Sequence, residues 1–425
     1  MLSVKITTTI LLLFVVSHTT CQRVNNSQIF RTVSIPDLGK VKGKIFKSIW
    51  TERPFLQFFD VPYAESPSGE LRFKSPEPVV PWRKVRDATR PSKRCATVRE
   101  LHKVRNKVNG DINPEDCLYL SISTRALTKK LPVMVYIHGN FLNDGSGLEA
   151  SPGFLMEKSI VLVSVKYRLG PFGFLSTMTD DIPGNAGVKD VILALEWIQE
   201  NIKHFGGDPE NVTIFGQAGG AALINVLTMS PAVREGLFHR VIYQSGAALT
   251  PAFLTSEPLQ ASQEIGVLAG CPNITNITDL NNCFMELTST EILKAYNDHL
   301  AKNFRSGVGY VGGSQIVIGG PSGILPIHPG KILAAKTFKQ YPTMGGVPKN
   351  VGSHILKNIY VNVFNETIPD DDYYAVDYIN LAITQTNGAD PTLAWINYAK
   401  NEFFTDGEFN NGTFEDLISG LIDVS

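Results

Sequence analysis

Apolar positions recur along the chain in two patterns. Near the N-terminus the runs 31–35, 41–49 and 56–63 are short, interrupted by polar residues and punctuated by Gly and Pro, as antiparallel strands opening a sheet would be. Further on, Val133-Met134-Val135-Tyr136-Ile137 and Ile160-Val161-Leu162-Val163-Ser164-Val165 are nearly unbroken, which predicts parallel strands covered on both faces. After them Val191, Leu195, Ile198 and Ile202 fall at three-and-four spacing and Gly206-Gly207 follows, predicting an amphipathic helix over 188–204 with a glycine stop. A strand at 212–215, a Gly-rich turn and a helix over 221–229 complete the order. Strand, helix, strand, helix is the βαβ logic of an open, mostly parallel sheet, so an α/β class follows. No repeat, low-complexity tract or Pro/Ser-rich linker divides the chain, and one domain over 22–425 is expected.

The first 21 residues are expected to lie outside that domain. Lys5 precedes an apolar run over 10–16 and then small and polar residues up to Cys21, the pattern of a secretory signal peptide cleaved near Cys21 or Gln22. A membrane span would need about 20 apolar residues. Four cysteines then remain, Cys95, Cys117, Cys271 and Cys283, an even number in an oxidising compartment. They allow three connectivities; pairing sequence neighbours closes two short loops, each bond contributing about 3 kcal/mol. Sequons at Asn25, Asn273, Asn276, Asn365 and Asn411 are expected to carry glycans, whereas Asn211 directly precedes a predicted core strand and is the doubtful one.

Charge excludes more than it suggests. With 39 basic and 40 acidic side chains and no polarity between the halves, nothing predicts a nucleic acid or an anionic membrane surface as the main partner. No Cys-x-x-Cys or similar metal-ligand spacing occurs, and no cofactor is expected.

Chemistry is expected where the 212–215 strand turns into a helix. A Gly-x-Ser-x-Gly turn in that context is a nucleophile elbow, its glycines permitting a strained turn that presents the hydroxyl. Here the turn reads Gly216-Gln217-Ala218-Gly219-Gly220, and its centre carries a methyl group. With the segments Val61-Pro62-Tyr63-Ala64-Glu65, Leu71-Arg72-Phe73, Glu115-Asp116-Cys117-Leu118-Tyr119-Leu120, Tyr167-Arg168-Leu169-Gly170-Pro171-Phe172-Gly173-Phe174-Leu175, Pro183-Gly184-Asn185-Ala186-Gly187, Phe205-Gly206-Gly207-Asp208-Pro209 and Gln244-Ser245-Gly246, the chain resembles the cholinesterase and type-B carboxylesterase family. The resemblance covers most of the chain. It implies an α/β-hydrolase fold, a mostly parallel central sheet flanked by helices, and the pairs Cys95 with Cys117 and Cys271 with Cys283.

Against that family the departures fall on catalysis. The family's oxyanion loop continues His-Gly with further glycines, because bare amides must approach the developing charge; here His138-Gly139 is followed by Asn140 and Phe141, side chains expected to crowd or re-aim the donors. The family's acid lies in a segment similar to Gly346-Val347-Pro348-Lys349-Asn350-Val351-Gly352, where Val351 takes its place. Its general base lies about a hundred residues beyond the acid, whereas the last histidine here is His354 and the sequence stops at Ser425, on an apolar run that suggests a domain incomplete at its C-terminus. Losing the nucleophile of such a triad alone costs on the order of a millionfold in turnover. Ser146 and Ser245 stand in no Gly-x-Ser-x-Gly turn and are expected to satisfy local backbone groups, and His138 to be a packed, hydrogen-bonded histidine.

What the resemblance implies is a degenerate hydrolase most similar to the secreted, basement-membrane type of cholinesterase-like adhesion protein: an extracellular glycoprotein without a membrane span in this chain, acting through protein partners of unknown identity. It leaves oligomeric state open, with homodimerisation a family habit. A second expectation is that the old gorge binds or sequesters a small apolar ester. Asp370-Asp371-Asp372-Tyr373-Tyr374 is read as the acidic first turn of a helix rather than a sulfation site for Tyr373 or Tyr374.

Overall fold

Strands half-buried at the N-terminal edge and buried on both faces at the centre build one large mixed sheet. The computed structural model describes residues 29–91, 94–98, 113–147, 149–305 and 312–348. Strands β1 (Phe30–Ile35), β2 (Gly39–Lys47), β3 (Pro54–Pro62), β4 (Arg86–Asp87), β5 (Tyr119–Thr124), β6 (Leu131–Ile137), β7 (Val161–Val165), β8 (Gly207–Gln217) and β9 (Arg240–Gln244) belong to it. A short pair, β10 (Leu254–Thr255) and β11 (Ile316–Val317), stands apart, and β12 (Thr343–Gly346) rejoins the main sheet. Among the described residues the order is β1-β2-β3-β5-β7-β6-β8-β9-β12, with β4 against β2.

β1, β2, β3 and β5 run antiparallel to one another, and β7, β6, β8, β9 and β12 run parallel. The crossover places β6 and β8, whose C-terminal ends carry the candidate site, at the centre of the parallel half.

Alternation decides which residues each layer covers. Val133, Val135 and Ile137 of β6, Val161, Val163 and Val165 of β7, and Val212 and Ile214 of β8 face one side, where helix Ala186–Asn201 contributes Val188, Val191, Leu195 and Ile198 and helix Gly219–Met229 contributes Leu223, Ile224 and Leu227. All are fully buried, each contributing about 1.5–3 kcal/mol from burial. Tyr136, Leu162 and Phe215 point to the other face, against Phe55 and Met156. Period two in the strands and period 3.6 in the helices therefore meet as the sequence pattern predicts.

Three features differ from the sequence expectation. β8 begins at Gly207 rather than 212, so Asn211 lies inside the strand, half-buried, its Oδ1 accepting from Arg240 Nη1 at 2.6 Å. The helix after the elbow starts at Gly219, two residues early. Helices Pro258–Ala269, Ile277–Glu286 and Ser289–Arg305, unread in the sequence, build a second core around Ile265, Leu280, Phe284, Ile292 and Tyr296. Disulfides Cys95–Cys117 and Cys271–Cys283 are both formed, the second tying the end of helix Pro258–Ala269 to helix Ile277–Glu286.

Candidate functional site

The turn after β8 carries the backbone geometry of a nucleophile elbow with alanine at its apex. Ala218 has φ 50° and ψ −119°, a conformation that costs a non-glycine residue roughly 1–3 kcal/mol. Main-chain bonds hold it. Its N–H donates to Gln244 C=O at 2.9 Å, and its own C=O accepts from Ala222 N–H at 3.0 Å. The flanking glycines are demanded by close approach: a Cβ on Gly220 would lie 2.3 Å from Ile137 C=O, and one on Gly219 2.2 Å from Asn140 C=O.

Non-glycine residues with positive φ crowd this end of the sheet. Asn140 (57°) and Leu142 (60°) follow β6, Ala218 (50°) follows β8 and Ser245 (50°) follows β9. Gly139 packs against the elbow so closely that a Cβ there would sit 1.9 Å from Gln217 C=O. Asn140 is exposed, and Phe141 is half-buried with its ring centroid 6.0 Å from that of Phe253.

The decisive contact is between main-chain atoms. In hydrolases of this architecture the amide after the nucleophile is an oxyanion donor. That amide is Gly219 N–H here, and it donates to Asn140 C=O at 2.8 Å. The left-handed φ of Asn140 turns this carbonyl towards the elbow, so one donor is already engaged within the protein.

No described imidazole is bonded to the turn. His138 is buried behind the loop, stacked on Tyr167 at 4.3 Å, and its C=O accepts from Tyr167 Oη at 2.7 Å. Among the described residues its ring Nδ1 has no hydrogen-bond partner, and the packing agrees with the sequence expectation. Burial, with a smaller contribution from the Lys166 ammonium, pushes its pKa down to about 3, and the ring is neutral at physiological pH. His239 Nδ1 accepts from Val212 N–H and His328 Nδ1 from Gly330 N–H. Ser146 and Ser245 are fixed through their own N–H groups, to Glu149 Oε1 at 2.9 Å and Gly346 C=O at 3.0 Å.

Around this site the family-like segments brace the sheet. Arg168 grips Asp190 through Nε–Oδ2 (2.8 Å) and Nη2–Oδ1 (2.6 Å), with both side chains buried. Arg72 pairs with Glu115 at 2.9 and 2.6 Å and donates to three carbonyls at and beyond the end of helix Ile277–Glu286. Asn185 reads both the N–H and the C=O of Val317. Sequence reasoning missed Asp190, since it stands 22 positions from its partner and in no local motif.

Asn273 and Asn276 are both exposed. Asn276 caps helix Ile277–Glu286, accepting from Thr278 N–H at 3.0 Å and Asp279 N–H at 3.4 Å, and Asn273 Nδ2 donates to Asp279 Oδ2 at 2.7 Å. The expected leader, Asn25, Val351, Asn365, Tyr373, Tyr374 and Asn411 lie outside the described residues. Among the described residues no cluster could hold a metal ion, and no helix is long and apolar enough to cross a membrane.

A parallel sheet half with a strained strand–turn–helix at the end of its central strand defines an α/β-hydrolase fold. The carboxylesterase family profile matches residues 29–421, and the chain belongs to that family. It is 34% identical to glutactin of Drosophila melanogaster over 400 residues, which is 92% of this chain and 38% of glutactin. It is 36% identical to carboxylesterase 1F of Mus musculus (79% of this chain, 62% of the relative) and 39% identical to juvenile hormone esterase of Tribolium castaneum (63% and 45%). The matched stretch therefore spans between about two fifths and three fifths of these relatives' own length.

Proposed function

We propose that this chain is a non-catalytic carboxylesterase-fold glycoprotein that acts outside the cell by binding other proteins, as a component of adhesion or matrix assembly. The observation that carries the proposal is Ala218: the elbow is retained in full backbone detail around a side chain without a nucleophilic atom. The Gly219 N–H bonded to Asn140 C=O adds to it, since removing one oxyanion donor from a working esterase costs about 10²–10³ in turnover. Similarity to glutactin over 92% of this chain favours a relative of that kind over a digestive or hormone esterase. Two disulfides and a leader-like N-terminus favour an extracellular setting.

The test uses the full chain secreted from a eukaryotic host. Wild type and Ala218→Ser are exposed to a fluorophosphonate probe and to 4-nitrophenyl butyrate, and both are titrated onto a panel of purified adhesion and matrix proteins. The expected result is no label and no turnover above vector control in either form, with saturable binding to a panel member that both forms share. Labelling of the wild type, or hydrolysis that a serine inhibitor abolishes, overturns the reading.

A further inference from the structure

Beyond that reading, and resting on its extracellular setting, we propose that the β1–β2 hairpin and the segment docked beside it form a binding surface for a linear sulfated polysaccharide. On a chain of near-zero net charge, residues 30–47 hold five basic side chains, of which Lys47 is paired with Glu52 at 2.8 Å, against one carboxylate, Asp37, and residues 82–90 hold four against one, Asp87. The fold joins these distant segments. Trp82 N–H donates to Leu38 C=O at 2.7 Å, Trp82 Nε1 to Lys40 C=O at 3.0 Å and Ala88 N–H to Lys42 C=O at 2.9 Å, so Arg83, Lys84 and Arg86 are laid along β2.

Period two does the rest. Val41 is buried and Gly43 packs on Phe58, which sends Lys40, Lys42 and Lys44 to the opposite face, each about 6.6 Å from the next. Beside them β1 offers small polar partners, Ser34 opposite Lys40 and Thr32 opposite Lys42, leaving a shallow track. Lys42 Nζ lies 4.9 Å from the Phe30 centroid, Lys44 Nζ 5.4 Å from that of Phe46 and the Arg86 guanidinium 5.0 Å from Trp82. Aromatic faces thus hold the cations in place without neutralising them. Among the described residues these three lysines make no ion pair within 4 Å. Asp87, the register partner of Lys42, accepts from Thr89 N–H, and hydrogen bonding to Thr89 together with a smaller effect of the Lys42 charge holds its carboxyl below the usual range.

With Asp87 as the register partner of Lys42, and Arg86 in register with Val41 on the reverse face, Lys40, Lys42 and Lys44 still form a line of ammonium groups at a spacing that matches a polymer repeating sulfate groups along one axis. Neutralising it releases counterions, so affinity is salt-dependent. Neither segment contributes to the elbow, so this surface and the candidate site are independent.

The experiment is biolayer interferometry of the full secreted chain on immobilised heparin from 0.05 to 0.3 M NaCl (on the order of the range over which counterion release is read). Wild type is compared with the triple variant Lys40→Gln, Lys42→Gln, Lys44→Gln and with a control, Lys129→Gln and Lys130→Gln, at exposed lysines between β5 and β6. The expected result is a loss of roughly tenfold or more in the triple variant, a log–log salt slope shallower by about two to three, and a control within about twofold of wild type. Chemically desulfated heparin, duplex DNA and phosphatidylserine vesicles are expected to bind more weakly than heparin. Absence of binding near physiological salt, an equal loss in the control, or DNA or vesicles binding as tightly as heparin overturns the proposal. Heparin binding by a chain that also proves to be an esterase leaves this surface standing and removes only the non-catalytic reading.

Discussion

Gly219→Ala tests how the elbow and the Asn140 loop hold each other. A Cβ at this position lies 2.2 Å from Asn140 C=O and 3.1 Å from Leu142 Cγ and Cδ2. Ordinary contact begins at 3.4 Å, so the carbonyl must retreat by about 1.2 Å, which stretches its 2.8 Å hydrogen bond from Gly219 N–H to about 4 Å and breaks it. Losing the bond costs about 0.5–1.5 kcal/mol and overpacking about 1–3 kcal/mol, while stiffening the unfolded chain returns about 0.4–1 kcal/mol. The net expectation is a loss of about 2 kcal/mol. Urea unfolding of the secreted chain with its disulfides intact, followed by tryptophan fluorescence, measures it.

Asn140→Gly supplies the partner variant. Its φ of 57° suits glycine, and the change gives the loop backbone freedom to move away from position 219. In that background Gly219→Ala is expected to cost about 1 kcal/mol less, a coupling that only a shared contact produces. A Gly219→Ala variant within about 0.5 kcal/mol of wild type, or strict additivity of the two changes, refutes the argument.

The remaining expectations concern buried charge. Asp190→Asn leaves the buried Arg168 guanidinium without its carboxylate and is expected to cost about 3–5 kcal/mol, seen as a collapse of secretion and a lower Tm; wild-type yield and Tm would refute it. His138 has a folded pKa of about 3 against an ordinary 6.5, so the unfolded chain takes up the proton first as pH falls. Stability from this group is whole above pH 6.5 and declines as pH drops towards 3, by about 2 kcal/mol at pH 5. His138→Gln is expected to shrink the fall in unfolding free energy between pH 7 and pH 5 by that amount, and unchanged slopes would count against it.

How much of this was legible in the sequence depends on the kind of contact. The α/β class was, because β6, β7 and β8 announce themselves as Val- and Ile-rich runs and the elbow's glycines sit where a strand must become a helix. Ala218 was read directly. The Gly219 to Asn140 bond was not, because it joins main-chain atoms and depends on a backbone dihedral that the residue name permits without requiring. Arg168 with Asp190 was invisible for want of local spacing. The basic face is not legible in the sequence because alternate lysines on a hairpin look like ordinary solvent-facing positions, and the segment docked beside them arrives from some forty residues away. Strand 207–217 outran its apolar centre because pairing with β6 continues past the apolar residues, as far as Leu131 opposite Gly207.

One question left by the proposed function is why a strained turn persists when its apex has no hydroxyl to present. The bond pattern offers an answer that needs no chemistry. Ala218 N–H to Gln244 C=O ties β8 to β9, Ser245 N–H to Gly346 C=O ties β9 to β12, Ala222 N–H to Ala218 C=O starts the following helix, and Gly219 N–H to Asn140 C=O locks the loop after β6. The three of these bonds that the turn itself makes, at about 0.5–1.5 kcal/mol each, offset the roughly 1–3 kcal/mol of strain at Ala218. The turn is thus the point at which β8, β9 and the loop after β6 are held together, and relaxing it would release all three. In an esterase that rigidity aims a nucleophile; with a methyl group at the apex the same rigidity still fixes the end of the sheet. The elbow geometry of this chain is therefore accounted for by architecture, and only the side chain at position 218 and the freedom of the Gly219 amide report on chemistry.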